Sequence, residues 1–252
     1  MNEVFQIPTF VINLDESVER YQEVLPQLQK LSINAERISA VRGSKLSEQE
    51  FNRVYDEIAN KKLFRRGLTA GEVGCYLSHR KIWQRMLDQN IKLALVLEDD
   101  IVINDNILDF QKHVDTLVKY DVVKLADDRN CPPAESKKLD EQHSLISYSN
   151  IPNCTTGYFV SLAGAKKLLA RKRIYRPVDI DMQHCYELGV SVVGVTPYPL
   201  DKNMKWDVDE MSDIAIDNGG AHSVKTDSYW RNVKYRIRLA WYRKFYRSAH
   251  LN

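Results

Sequence analysis

The run Leu93-Ala94-Leu95-Val96-Leu97 is apolar at every position and leads directly into Glu98-Asp99-Asp100. Successive strand residues face opposite sides of a sheet, so a run apolar on both sides belongs to a strand covered by layers on each face, as in a parallel α/β sheet. Ligands of open α/β sheets bind beyond the carboxyl ends of the strands. The acids therefore stand where a ligand would. Crowded carboxylates repel one another and need a cation or a shared proton. A hard divalent ion that also bridges substrate phosphates meets that need. The plainer alternative is a solvated acidic turn.

The segments on either side fit the same architecture. Pro8 to Leu14 reads as a first buried strand. Asp15 or Ser17 caps the next helix, whose stripe is Val18, Tyr21, Val24, Leu28 and Leu31, with a kink expected at Pro26. Asn34 to Ala40 reads as a strand and Ser47 to Ile58 as a short helix. Thr69-Ala70-Gly71-Glu72 is a capping box, and its helix turns Val73, Leu77, Trp83 and Leu87 toward the core. Ile107 to Val118 is predicted helical, and Asp121 to Leu125 is a strand followed by Asp127 and Asp128. Asn130 to Gln142, polar with two prolines, is predicted as loop. Thr156 to Leu162 and Ser191 to Thr196 read as strands around a short basic helix, Gly164 to Lys172. Alternating strands and helices predict a mostly parallel central sheet with helices on both faces.

Composition narrows the class. The 252 residues suit one α/β domain or two small ones, and the 44% hydrophobic content suffices for a core. Cys75, Cys131, Cys154 and Cys185 are scattered without a C-x-x-C pair, which argues against a zinc ribbon and gives no reason to expect a disulfide framework. No basic region followed by an apolar core opens the chain, and no apolar stretch is long enough to span a bilayer. The expectation is a cytoplasmic, soluble protein. The net charge of +2 hides an asymmetry: Tyr229 to Asn252 holds seven lysines and arginines and no acid. The chain is accordingly divided into a domain over 1–225 and a basic amphipathic tail over 226–252.

Five motifs follow in order: VINLDESVER (Val11 to Arg20), LTAGEVGCYLSH (Leu68 to His79) with Trp83 just after it, LEDD (Leu97 to Asp100), TTGYFVSLAGAKKLL (Thr155 to Leu169) and PVDIDM (Pro177 to Met182). In these the chain resembles glycosyltransferase family 25, the group that builds the outer cores of bacterial lipopolysaccharide and lipooligosaccharide. The resemblance implies a GT-A type nucleotide-sugar-binding fold, a UDP-sugar donor, and inversion at the anomeric carbon. Galactose is the commonest sugar and glucose its competitor. Glu98, Asp99 and Asp100 would take the place of a DxD-type motif holding Mn²⁺ or Mg²⁺. Asp100 is the first choice as direct ligand, Asp99 would hold the metal or the ribose, and His222, after Gly219-Gly220-Ala221, is a third ligand. Glu98, nearest the strand, is expected to be the most enclosed of the three.

The remaining roles follow from position and chemistry. Asn13, Asp15 and Arg20 follow the first strand, where base and ribose would dock. His79, one turn after Cys75, reads as a hydrogen-bonded core histidine by itself; its place inside the LTAGEVGCYLSH motif implies, through the resemblance, that it supports the donor site. An inverting transfer needs a carboxylate to take the acceptor proton. Asp181 and Asp179 are the candidates, with Asp181 favoured; they share a face in an extended segment and stand apart in a helix. Thr155, Thr156 and Tyr158 would line the acceptor pocket with hydroxyls and an aromatic face. In the tail, Trp230, Val233, Ile237, Ala240 and Trp241 share one side of a helix, a composition suited to an anionic lipid surface at the inner membrane, with a helix packed against the domain as the plainer alternative. No nucleic-acid partner is expected, since no groove-reading motif is present. The alternatives are a metal-dependent nucleotidyl or phosphoryl transferase, for which VINLDESVER lacks a glycine-rich or lysine-rich phosphate loop, and a non-enzymatic membrane-surface or polyanion-binding protein.

Overall fold

The computed structural model describes residues 5–206 and 228–251. In chain order the elements are β1 (Thr9–Asn13), α1 (Val18–Lys30), β2 (Ala35–Ser39), α2 (Glu48–Val54), α3 (Glu57–Leu63), α4 (Ala70–Asp88), β3 (Leu93–Leu97), β4 (Ile101–Ile103), α5 (Val114–Leu117), β5 (Val122–Lys124), β6 (Pro133–Lys138), β7 (Ser144–Tyr148), β8 (Gly157–Ser161), α6 (Leu162–Leu169), α7 (Val178–Gln183), β9 (Val192–Thr196), β10 (Leu200–Lys202) and α8 (Tyr229–Phe245). Eight strands form one sheet in the order β2-β1-β3-β8-β5-β9-β7-β6, and β4 and β10 form a short separate pair. β1 runs parallel to β2 and β3, and β5 parallel to β9. β8 opposes β3 and β5, and β7 opposes β9 and β6. The sheet is thus mixed, with two strands against the direction of the rest.

All five residues of β1 and of β3 are buried. Their alternate side chains enter different cores: Phe10, Ile12, Ala94 and Val96 face the layer holding α4, while Val11, Leu93, Leu95 and Leu97 face the layer holding α1. Two apolar layers explain why β3 is apolar at every position. α4 begins as expected. Thr69 Oγ1 accepts from Glu72 N at 3.1 Å, and Thr69 N donates to Glu72 Oε2 at 2.9 Å. A Cβ on Gly74 would collide with the Val41 carbonyl and the backbone of Gly43, so glycine lets this helix sit against the loop after β2.

Several local expectations give way. The predicted 47–58 helix breaks at Tyr55, which bridges to Ile174. Most of the 107–118 helix is 3₁₀, from Asp105 to His113, before one turn of α5. α1 continues through Pro26, and Val18 is 48% exposed, outside the stripe that buries Val24 and Leu28. The predicted 130–142 loop contains β6, an edge strand beginning at Pro133. An edge strand tolerates proline and charge because one side makes no ladder, which is why its sequence reads as loop.

The C-terminal segment packs back on the domain. Tyr235 on α8 is buried against Phe64, edge to face at 5.3 Å, and stacks on His184 at 5.8 Å. Tyr242 stacks on Tyr186 at 3.8 Å. Beyond the helix, Tyr148 N donates to Ser248 Oγ at 2.8 Å and Val192 N to Ser248 O at 2.9 Å. No described helix is long and apolar enough to cross a membrane.

Candidate active site

The carboxyl ends of β1 and β3 open into one cleft, and the three acids after β3 play different parts in it. Asp99 is the enclosed one. Asn13, the last residue of β1, donates from Nδ2 to Asp99 Oδ2 at 2.5 Å, and Arg20 in α1 pairs with Asp99 Oδ1 at 3.3 Å. Arg37 holds the other end of that amide, donating from Nε to Asn13 Oδ1 at 2.8 Å. Glu98 is only partly buried, against the expectation that it would be the most enclosed. Its backbone N–H donates to Thr156 O at 3.0 Å, and its carboxylate accepts from Thr155 Oγ1 at 2.5 Å. Burial pushes the Glu98 carboxyl up, but contact with His79 and Thr155 outweighs this and holds it below its ordinary value.

Asp100 differs from both. Its Oδ1 is buried and has no hydrogen-bond partner. Burial, then the charges of Glu98 and Asp99, push its carboxyl up to about 7. This is the strained member of the cluster, the one whose negative charge the surrounding protein compensates least.

The cleft has two lobes. The first, about 670 Å³, is lined by Asn13, Arg20, Val41, Arg42, Gly71, His79 and Asp99. The second, about 810 Å³, is lined by Glu72, Asp128, Asn153, Thr155, Thr156, Asp179 and Lys202. Cys75, Glu98 and Asp100 line both. The first lobe sets two arginines beside Glu98, Asp99 and Asp100, whereas the second sets five carboxylates beside Lys202.

PVDIDM is helical, as α7, and this separates its two aspartates. Residues two apart on a helix point about 200° from each other. Asp181 turns inward, accepting from Tyr76 Oη at 2.7 Å, Arg171 Nε at 3.0 Å and Arg176 Nη1 at 3.1 Å. It belongs to a buried ion-pair network that also takes in Glu187, and it lines neither lobe. The preference for Asp181 over Asp179 is therefore corrected in its geometry: Asp181 is a buried ion-pair residue, and of the two aspartates Asp179 is the one that lines the cleft. Asp179 faces the second lobe, and burial pushes its carboxyl up to about 6. With its amide nitrogen toward this carboxylate, Asn153 donates to Asp179 Oδ2 at 3.2 Å and accepts from Arg129 Nη2 at 3.1 Å.

Two further expectations are corrected. Tyr158 is fully buried and lines neither lobe; its hydroxyl accepts from Trp83 Nε1 at 3.1 Å and shares a hydrogen bond with His79 Nδ1 at 2.8 Å. Asp15 is exposed, accepts from Ser39 Oγ at 2.8 Å, and also lies outside both linings. Asn13, Arg20, His79 and Asp99 meet in the first lobe, and Thr155 and Thr156 in the second. His222 lies outside the described residues.

Sequence reasoning missed Cys75, Asn153, Lys202 and Lys124. Lys124 is fully buried at the end of β5, where its ammonium donates to the Cys154 carbonyl and supports the loop entering β8. The available signal was a lysine closing an apolar run, because a buried charge needs a partner.

A family model described as "Glycosyltransferase family 25 (LPS biosynthesis protein)" matches residues 6–182. A Drosophila pseudoobscura pseudoobscura protein named "Glycosyltransferase 25 family member" is 31% identical over 179 residues, covering 68% of this chain and 28% of the relative. "Procollagen galactosyltransferase 1" of Danio rerio is 27% identical over 183 residues, covering 68% and 30%. "Inactive glycosyltransferase 25 family member 3" of Mus musculus is 28% identical over 183 residues, with the same coverage. This chain spans less than a third of the length of these relatives.

Proposed function

The chain belongs to glycosyltransferase family 25, and from that premise we propose that it is an active enzyme transferring a hexose, galactose first, from a UDP-sugar to a glycan hydroxyl with inversion. A relative named as a procollagen galactosyltransferase supports galactose, and the family's description supports a lipooligosaccharide or lipopolysaccharide core sugar as acceptor. One observation carries the reading: the unpartnered Asp100 oxygen lies where an arginine-bearing lobe meets a carboxylate-bearing one.

The residues fit a divalent cation. Asp100 has a buried oxygen without a partner and a carboxyl that burial and its acidic neighbours keep from ionising readily, a situation that bound Mn²⁺ or Mg²⁺ would relieve. Asp100 would hold the ion, with Asp99 fixed beside it by Asn13 and Arg20, and His222 as the proposed further ligand. When bound, such an ion neutralises charge developing on the departing diphosphate.

The protein's own groups do the rest. Arg20 and Arg42 favour the donor's negative charge in the first lobe. Thr155 and Thr156 offer hydrogen bonds to the acceptor sugar in the second lobe. Asp179 takes the proton from the acceptor hydroxyl as that oxygen bonds to the anomeric carbon. The bond from that carbon to the diphosphate breaks, and UDP leaves with the electron pair. Asn153 orients the base through its amide.

The same proposal includes attachment to the cytoplasmic face of an anionic membrane through α8. Trp230, Ile237, Trp241 and Phe245 are 68%, 65%, 52% and 59% exposed on a helix that carries no acid. Apolar rings among cations suit a lipid headgroup boundary.

UDP release measured across a panel of UDP-hexoses, with glycan acceptors and with or without chelator, tests the assignment. Chelator-sensitive release from one UDP-hexose is expected. A folded sample that binds UDP but turns over no donor would place this chain with the inactive relatives.

A further inference from the structure

A second group of donor atoms lies at the junction of the two lobes and is not needed for the transfer as described. Cys75 and His79 are one turn apart on α4, and Glu98 follows β3. Cys75 Sγ, an imidazole nitrogen of His79 and a Glu98 carboxylate oxygen all lie within 4.8 Å of one another. His79 is fully buried; its Nε2 makes no hydrogen bond and faces Glu98 Oε1 at 3.4 Å. The other nitrogen, Nδ1, is held by the Tyr158 hydroxyl, itself held by Trp83. The ring is therefore fixed from behind with its free nitrogen aimed at the cleft. Cys75 lines both lobes, so solvent and ions reach the group.

We propose that Cys75, His79 and Glu98 form a second divalent-cation site, for a thiophilic ion of the zinc class, whose occupation closes the cleft at the junction of its lobes. A sulfur, an imidazole nitrogen and a carboxylate oxygen form a set that zinc takes and that magnesium and manganese do not favour. Bonds of about 2.0–2.3 Å in tetrahedral geometry separate ligand atoms by about 3.3–3.8 Å. The 3.4 Å spacing of Glu98 and His79 already meets this, and Cys75 Sγ lies within 4.8 Å of both. Binding releases the thiol proton to solvent and takes the imidazole tautomer in which Nδ1–H donates to Tyr158, so that Nε2 offers its lone pair to the ion. The tyrosine behind the histidine is the kind of outer partner that fixes a metal-binding imidazole. A fourth position stays open to the cleft.

Binding can be read without turnover. Co²⁺ added to the reduced 252-residue chain is expected to produce a thiolate-to-cobalt charge-transfer band in the near ultraviolet, and Zn²⁺ should displace it. Cys75→Ser abolishes the band. Cys154→Ser, the other cleft thiol, and Asp100→Asn, at the proposed catalytic cation site, retain it. His79→Gln and Glu98→Gln each weaken zinc binding by about tenfold or more. Zn²⁺ raises the midpoint of thermal unfolding in the wild type and not in Cys75→Ser. No band in the wild type, or a band surviving in Cys75→Ser, overturns the site. If the band is present and zinc leaves UDP release untouched, closure of the cleft is wrong. A band lost equally in Asp100→Asn would merge this site with the catalytic one and overturn its independence.

Discussion

At the residue scale, the carboxylates of this cleft and of α7 are distinguished by what each one touches. Asp100 lacks a partner for Oδ1, and its carboxyl stands at about 7 against an ordinary 3.8. Between those values the folded protein holds a proton that the unfolded chain has lost. Its contribution to stability is therefore present below the lower value and lost as pH rises through the upper one. Asp100→Asn in metal-free protein at pH 8 should raise stability by about 1–3 kcal/mol while abolishing chelator-sensitive turnover. Denaturant unfolding alongside UDP release checks both, and a less stable mutant contradicts the electrostatic account. Asp179 and Asp181 should separate in the opposite sense. Asp179→Asn should cut kcat by about 10²–10⁴ with the fold intact. The wild-type rate should fall as pH drops through about 6, where Asp179 takes up a proton, and the mutant should lack that limb. Asp181→Asn should cost about 3–5 kcal/mol of stability, because it leaves Glu187 alone to balance two buried arginines, Arg171 and Arg176. If Asp181→Asn lost activity at full stability, the roles would be reversed.

At the element scale, α4 does most to shape the cleft. Its capped start brings Gly71 and Glu72 to the two lobes, and the next two turns bring Cys75 and His79. Gly74 sets how closely the helix approaches the loop carrying Val41 and Arg42. Gly74→Ala should destabilise by about 1–3 kcal/mol, since the added methyl meets backbone that cannot swing aside. A chemical denaturation midpoint equal to wild type would contradict that packing. The capping box was legible because Thr69 and Glu72 act within one turn. β6 was not, because an edge strand with both charge and proline has no period to read. α7 was not either: six residues are too few to tell helical from extended spacing, so the separation of Asp179 and Asp181 needed the folded chain.

At the scale of the molecule, α8 has two faces. Tyr235 and Tyr242 dock it through Phe64, His184 and Tyr186, while Trp230, Ile237 and Trp241 point away. Replacing those three with serine should abolish cosedimentation with anionic vesicles and leave the unfolding temperature unchanged. Tyr235→Ala should instead lower stability by about 3–5 kcal/mol, as expected for a buried aromatic ring. Retained vesicle binding by the triple mutant would end the membrane reading. The tail's composition indicated an interfacial helix, but not which residues would be spent on docking.

What the sequence determined by itself was the covered strand and the acids at its end. An apolar residue at every position of β3 has no other stable setting than between two layers, and the acids then fall at the sheet's ligand-binding edge. The tertiary structure decided which acid does what. Asp99 is taken by Asn13 and Arg20, and Asp181 by Tyr76, Arg171 and Arg176, while Glu98, held on one side by Thr155, lines the cleft with Asp100 and Asp179. Most of these partners come from distant parts of the chain. A carboxylate's charge, and the chemistry available to it, depends on the groups within a few ångströms, and local sequence does not specify those.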